Sequence, residues 1–183
     1  MNHLQDRFTV LKRRIFEDNF LDADRTILPN FLFNYSQEEE FFVRKGVKEI
    51  LSMAKNRGKS IVEINLFDLF LKVFEEDLDD VFELANSDGV EELLEAIAPV
   101  LSDGEDLIET FKVMIGEHQI VLLTGVGTAY PMLHSSGLLK RLGASGYNKP
   151  IIVFYPGTFN RTQLKLFNRF EAIEDEYQIN PIA

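Results

Sequence analysis

Two runs in the second half of the chain, Ile120-Val-Leu-Leu-Thr124 and Pro150-Ile-Ile-Val-Phe-Tyr155, are apolar at successive positions and rich in β-branched side chains. A strand with one wet face alternates apolar and polar residues. A strand that does not alternate has both faces covered, which is the condition of a parallel sheet with helices on either side. Two further runs, Phe31–Tyr35 and Ser60–Asn65, read as strands of the same sheet. A weaker fifth strand is expected over Tyr177–Ile182, where Pro181 restricts it to an edge.

Helical patterns fill the spaces between these runs. Ser36-x-x-Glu39 has the spacing of a capping box and opens a helix to about Asn56, with Gly58 as its stop. Asn65-x-x-Asp68 is a related start for Leu66 to about Glu76, and Ser102-x-x-Glu105 for a helix ending near Gly116. Helices are also expected over Leu4–Phe16, Gly89–Leu101, Pro131–Leu142 with the proline in its first turn, and Arg161–Phe170. Strands alternating with helices give an α/β fold with a mainly parallel sheet of four or five strands and helices on both faces. The stretch 66–116 exceeds one crossover and reads as an acidic insertion of two or three helices between the second and third strands, in a single domain spanning 1–183. Of the sixteen phenylalanines, Phe41, Phe42, Phe67, Phe70 and Phe74 fall at helical spacings. Most are expected in the core, and any left exposed would mark a protein-binding surface.

Charge is divided as sharply as structure. The 183 residues hold 19 Lys and Arg against 30 Asp and Glu. Residues 63–118 alone hold 17 of the acids and only Lys72 and Lys112, while no Asp or Glu occurs from Gln119 to Phe170. The acidic block is either a set of solvated helix faces or a docking surface for a basic partner. A pI near 4.7 argues against the whole molecule as a nucleic-acid clamp. The absence of cysteine excludes disulfides, thiolate metal sites and thiol nucleophiles. With no long apolar stretch and charges scattered through the first sixteen residues, neither a membrane span nor a signal peptide is expected, and the location should be cytoplasmic.

Ligands of open α/β sheets lie beyond the C-terminal strand ends. There the loop Thr124-Gly125-Val126-Gly127-Thr128 is the foremost candidate for an anion, with Gly157 and Thr158 after the fourth strand. Two glycines permit a sharp turn and close approach to a phosphate. Yet no lysine follows in the Walker spacing, and the third glycine of a dinucleotide fingerprint is missing. A G-x-G alone is a weak signal, and a tight strand-to-helix turn is the favoured reading of the pattern. The three histidines have no metal-ligand spacing, no nucleophile elbow is present, and Asp68 is accounted for as a helix-start residue. No catalytic set, cofactor or metal is therefore expected. Arg161, Lys165 and Arg169 would make a basic stripe on the last helix, with Lys140 and Arg141 on the helix before it. Such a stripe is a solvated face or a dock for an acidic partner or nucleic-acid phosphate, although specific nucleic-acid binding is disfavoured without interleaved exposed aromatics.

The segments Ile61-Val-Glu-Ile-Asn-Leu-Phe-Asp-Leu69, Val121-Leu-Leu-Thr-Gly-Val-Gly-Thr-Ala-Tyr-Pro131, Ile152-Val-Phe-Tyr-Pro-Gly-Thr-Phe159 and Leu164-Lys-Leu-Phe167, in this order, resemble the BrxB family of BREX (bacteriophage exclusion) operons. The resemblance implies a role in antiphage defence beside a site-specific adenine methyltransferase, PglX. It also implies a sheet like that of a P-loop NTPase core without its phosphate motif. The implied role is a non-catalytic adaptor binding a PglZ-like protein of alkaline-phosphatase fold and a BrxC-like ATPase. The matching positions Asn65, Asp68, Thr124, Gly125, Gly127, Tyr130, Pro131, Pro156 and Gly157 carry it, and Asn65, Asp68, Tyr130, Lys140, Arg141, Arg161, Lys165 and Arg169 become candidate partner-binding residues. The alternatives from the residues alone are a nucleotide- or anion-binding regulatory domain and an accessory DNA-binding subunit.

Overall fold

The computed structural model describes residues 3–21, 30–171 and 179–183. Four strands, β1 (Asn30–Tyr35), β2 (Ile61–Asn65), β3 (Ile120–Thr124) and β4 (Ile151–Phe159), line up in the order β2-β3-β4-β1 with every pairing parallel. Two further strands, β5 (Leu164–Leu166) and β6 (Phe170–Glu171), fold back antiparallel on the end of β4. Finally β7 (Asn180–Pro181) adds a short parallel edge beside β1, where a proline costs no internal hydrogen bond. Of the fifth strand expected from Tyr177, residues 177 and 178 lie outside the described residues.

Period-two alternation along the buried strands divides the core into two layers. Phe33, Leu122, Ile152 and Phe154 point to the face covered by α1 (His3–Phe16) and α2 (Glu40–Arg57). Leu32, Val121, Leu123, Ile151 and Val153 point to the other. That second face is covered by α3 (Leu66–Val73), α4 (Leu78–Ser87), α5 (Val90–Asp103), α6 (Glu105–Ile115), the four-residue α7 (Val126–Ala129) and α8 (Ser135–Ala144). On the first face the Phe8 ring of α1 lies against Gly46, the smallest residue of the buried stripe Val43, Gly46, Val47, Ile50 and Ala54 on α2. The ring also meets Phe33 at 4.8 Å between centroids. Arg7 donates to the carbonyls of Asn34 at 2.6 Å and Ala183 at 3.1 Å, tying α1 to the ends of β1 and β7.

The start signals have mixed outcomes. Ser36 and Glu39 form the capping box, ahead of a short 3-10 turn that leads into α2. Asn65 Oδ1 accepts from the amides of Phe67 at 2.9 Å and Asp68 at 3.4 Å and so starts α3. Ser102 starts nothing: it sits in the last turn of α5, where its hydroxyl donates to Pro99 O at 3.0 Å, and Gly104 makes the junction to α6. Nor is Pro131 helical. It follows a cis bond from Tyr130, and α8 begins four residues later. Between β2 and β3 the chain makes four helices, α4 being one more than the two or three expected.

A larger correction concerns Arg161–Phe170, which is not a helix. The strand β4 runs past Tyr155 to Phe159, and Gly157, Thr158 and Phe159 pair with Leu166, Lys165 and Leu164. Leu164 and Leu166 are buried on one side of the resulting hairpin, and Arg161, Phe167 and Asn168 have positive φ. The i, i+4 spacing of Arg161, Lys165 and Arg169 mimicked a helical stripe, but tertiary pairing with β4 outweighed that weak local preference.

Candidate functional site

Because the four central strands are parallel, Tyr35, Asn65, Thr124 and the β4 extension converge on one edge of the sheet. At this edge the glycines are consumed by the protein itself. A β-carbon at Gly125 would collide with the Asn65 carboxamide, and one at Gly127 would stand 2.6 Å from the Phe167 ring. One at Gly157 would strike the Lys165 carbonyl. The β5–β6 hairpin thus folds over the strand ends, held by the Phe167 amide donating to Pro156 O at 2.8 Å. Beneath it, the Thr124 hydroxyl donates to Glu63 Oε1 at 2.7 Å, placing a carboxylate where a phosphate would need a donor. Thr128 and Thr158 are exposed. The edge is a closed packing junction of short side chains, not an open cradle of amides.

The candidate partner-binding residues separate into distinct places. Asp68 is exposed on α3, whereas Asn65 is spent on capping. Tyr130 stacks on Phe170 at 5.0 Å and meets the His134 ring edge-on at 5.4 Å. The basic residues of the hairpin do not form one surface. Lys165 pairs with Glu171 at 3.1 Å, Arg169 lies over the Phe170 ring at 5.4 Å, and Arg161 occupies an exposed turn. Lys140 is exposed on α8, and Arg141 lies along a groove between α8 and α5. Among the described residues no cluster of three or more His, Asp or Glu side chains is placed to hold a metal ion.

Two features do distinguish surfaces. The sheet separates charge: α1 and α2 hold nine Lys and Arg against three Asp and Glu, while α3–α6 on the opposite face hold two against eleven. On the basic side, α2 presents Phe41 and Phe42, 74% and 55% exposed and packed edge-to-face at 5.7 Å. Phe67, Phe70 and Phe74 join the core as expected of most of these rings, and Phe41 and Phe42 are the two left exposed. The buried stripe of α2 runs through Val43, Val47, Ile50 and Ala54, which leaves Phe41, Lys45, Lys48, Ser52 and Lys55 on the outer face at helical spacing. Lys45, Lys48 and Lys55 make no ion pair among the described residues, whereas Arg44 is held by Glu40 at 2.7 Å. Periodicity alone could have found this surface, had the polar stripe been followed as closely as the apolar one. Tyr35 donates its hydroxyl to Glu40 at the base of the helix. Burial and that bond together push the phenol well above its ordinary range.

The comparisons with known proteins agree on one family. The family model described as "BREX protein BrxB" matches residues 62–180. A BREX protein BrxB of Bacillus cereus (strain H3081.97) is 28% identical over 153 residues, covering 80% of this chain and 79% of the relative. A BREX protein BrxB of Escherichia coli O9:H4 (strain HS) is 27% identical over 163 residues, covering 86% and 80%. No solved structure matches the chain. Among the described residues no helix is long and apolar enough to cross a membrane. The motifs that carried the resemblance, from the capped β2–α3 junction through the Thr124–Pro131 turn to the β4–β5 hairpin, lie almost wholly within the matched stretch, and this chain belongs to the BrxB family of BREX phage-defence systems.

Proposed function

We propose that this protein is a non-catalytic adaptor of its BREX system that holds a PglZ-like protein of alkaline-phosphatase fold and a BrxC-like ATPase together. On this reading the sheet is a P-loop-like core without its phosphate motif, and α3–α6 are an acidic insertion on it. The observation that supports the proposal is the polarity of the molecule. A rigid sheet carries a basic helical face with two exposed phenylalanines on one side and an acidic helical face on the other. Complementary fields select partners and speed encounter, and exposed aromatics supply the anchoring area that charge alone lacks. Two faces of opposite sign take two partners of different surface chemistry, as a bridge requires. The closed strand-end junction, with its glycines packed against Asn65, Phe167 and Lys165, is in keeping with a scaffold.

The test is co-purification from cells expressing the phosphatase-like and ATPase proteins of the same operon. The expected result is a complex containing all three that weakens as salt rises, since exposed charges are screened within about 8 Å at physiological ionic strength. If this chain elutes alone at both low and moderate salt beside two intact partners, the adaptor role is wrong.

A further inference from the structure

We infer that the chain binds a second copy of itself head to tail, the outer face of α2 in one copy docking on the acidic outer face of α4 and α5 in the next. The two surfaces match in kind as well as in sign. On α2 the exposed rings of Phe41 and Phe42 lead a row of exposed lysines, Lys45, Lys48 and Lys55, at helical spacing. On α4 the Phe82 ring is 48% exposed, between the exposed carboxylates of Asp79 one turn before it and Glu83 just after it. Glu91, Glu92 and Glu95, exposed on the first turns of α5 packed beside α4, extend that patch. None of these lysines and carboxylates is in an ion pair among the described residues.

Charge decides how two copies meet. Docking α2 on α2 would set lysines against lysines, and docking the α4–α5 face on itself would set carboxylates against carboxylates. Only opposite faces attract. That arrangement also removes exposed phenylalanines from water on both sides, and aromatic rings are the side chains that anchor interface centres. Because α2 and the α4–α5 layer cover opposite faces of the sheet, a docked pair leaves one surface of each kind open. The contact is therefore heterologous, and copies add in a row instead of closing as a dimer.

Size sets the strength. The row from Phe41 to Lys55 is about 22 Å long at the helical rise. One helix wide, it stays below the ~800 Å² per partner of a standard interface, so the association is weak and reversible. The net charge of −11 on each copy opposes approach at long range. At physiological ionic strength that repulsion is screened beyond about 8 Å, while groups in contact still attract. The inference draws on the same polarity as the adaptor reading, and a copy and a partner would compete for these faces. It needs no partner, however, so the two fail separately: co-purification does not bear on the behaviour of the chain alone.

The full chain is studied alone by sedimentation velocity at concentrations up to about 1 mM. Near physiological ionic strength the sedimentation coefficient should climb with concentration past that of a dimer. The association should weaken about tenfold or more in about 1 M salt, where the screening length is ~3 Å. Phe41→Ser, Lys45→Gln and Lys48→Gln together should remove it. So should Asp79→Asn, Phe82→Ser and Glu83→Gln together, although they move the net charge from −11 to −9 and relieve the general repulsion. Mixed, the two triple variants should form a one-to-one pair that grows no further, since each keeps one working face, and that pairing also shows both to be folded. The inference is overturned if the chain stays monomeric throughout, if the acidic-face variant associates as well as the parent, or if the mixture does not pair. A closed dimer lost only in the lysine-face variant would be α2 on α2. Oligothymidylate held by the lysine face of a chain that stays monomeric would give that face to nucleic acid. Either result also overturns it.

Discussion

Asn65 and Gly125 touch across the ends of two neighbouring strands: the carboxamide that caps α3 fills the space in which a side chain at 125 would stand. Gly125 is further constrained by a φ of 71° that lets β3 turn at once into α7. Gly125→Ala therefore meets both a left-handed backbone, costing about 1–2 kcal/mol, and a filled site. For a chain of 183 residues the backbone cost alone corresponds to a fall in Tm of about 2–8 °C. Asn65→Ala should cost about 1 kcal/mol as a lost cap. In the double variant the losses should be less than additive, because the smaller residue makes room. Additive losses in a thermal double-mutant cycle would mean that the two residues are independent.

Gly46 offers a test with an unusual sign. Replacing a mid-helix glycine with alanine ordinarily gains about 1 kcal/mol of helix propensity. Here the new methyl would run into the Phe8 ring that seats α1 on α2. Overpacking of a filled interior costs about 1–3 kcal/mol, so Gly46→Ala should lower the urea midpoint rather than raise it. Adding Phe8→Leu should return part of the loss. A raised midpoint for Gly46→Ala alone would contradict the packing.

The exposed face of α2 should separate folding from docking. Phe41→Ser, Phe42→Ser and Lys45→Glu together remove an aromatic pair and reverse one charge at residues that bury little. Stability should change by no more than about 0.5 kcal/mol per site, while co-purification with one of the two proposed partners is lost and the other is kept. Retention of both partners by the triple variant would remove the α2 face from docking and with it the observation on which the adaptor proposal stands.

Alkaline pH should expose the buried phenols. Burial pushes Tyr155 up to about 12 and Tyr147 still higher. A folded-state pKa above the unfolded value near 10 means that the folded state holds its proton longer. The stabilisation is complete below pH 10 and drains away as pH rises from 10 toward 12. Urea midpoints measured at pH 9, 10 and 11 should therefore fall, and Tyr155→Phe should flatten that fall after its own fixed change at pH 9 is subtracted. Parallel curves for the two proteins would show that Tyr155 ionises alike in both states.

What the residues reveal by themselves is whatever local periodicity and composition dictate. The two non-alternating apolar runs required strands covered on both faces, and β3 and β4 have neighbours and helices on every side. Asn65 and Ser36 announced their helices because a cap is a bond between residues two or three apart. The acidic character of 63–118 was plain from counting.

Only tertiary structure decided the rest, since it depends on residues far apart in sequence. Arg161–Phe170 became a hairpin because β4 offered its free edge to Leu164–Leu166, a pairing with no local signal. The glycines at 125, 127 and 157 look alike in the sequence, yet each is explained by a different distant partner, Asn65, Phe167 or Lys165. The separation of charge onto opposite faces also waited for the fold. A sequence can say that one segment is acidic and another basic, but only a sheet with α1 and α2 on one side and α3–α6 on the other turns that into two surfaces.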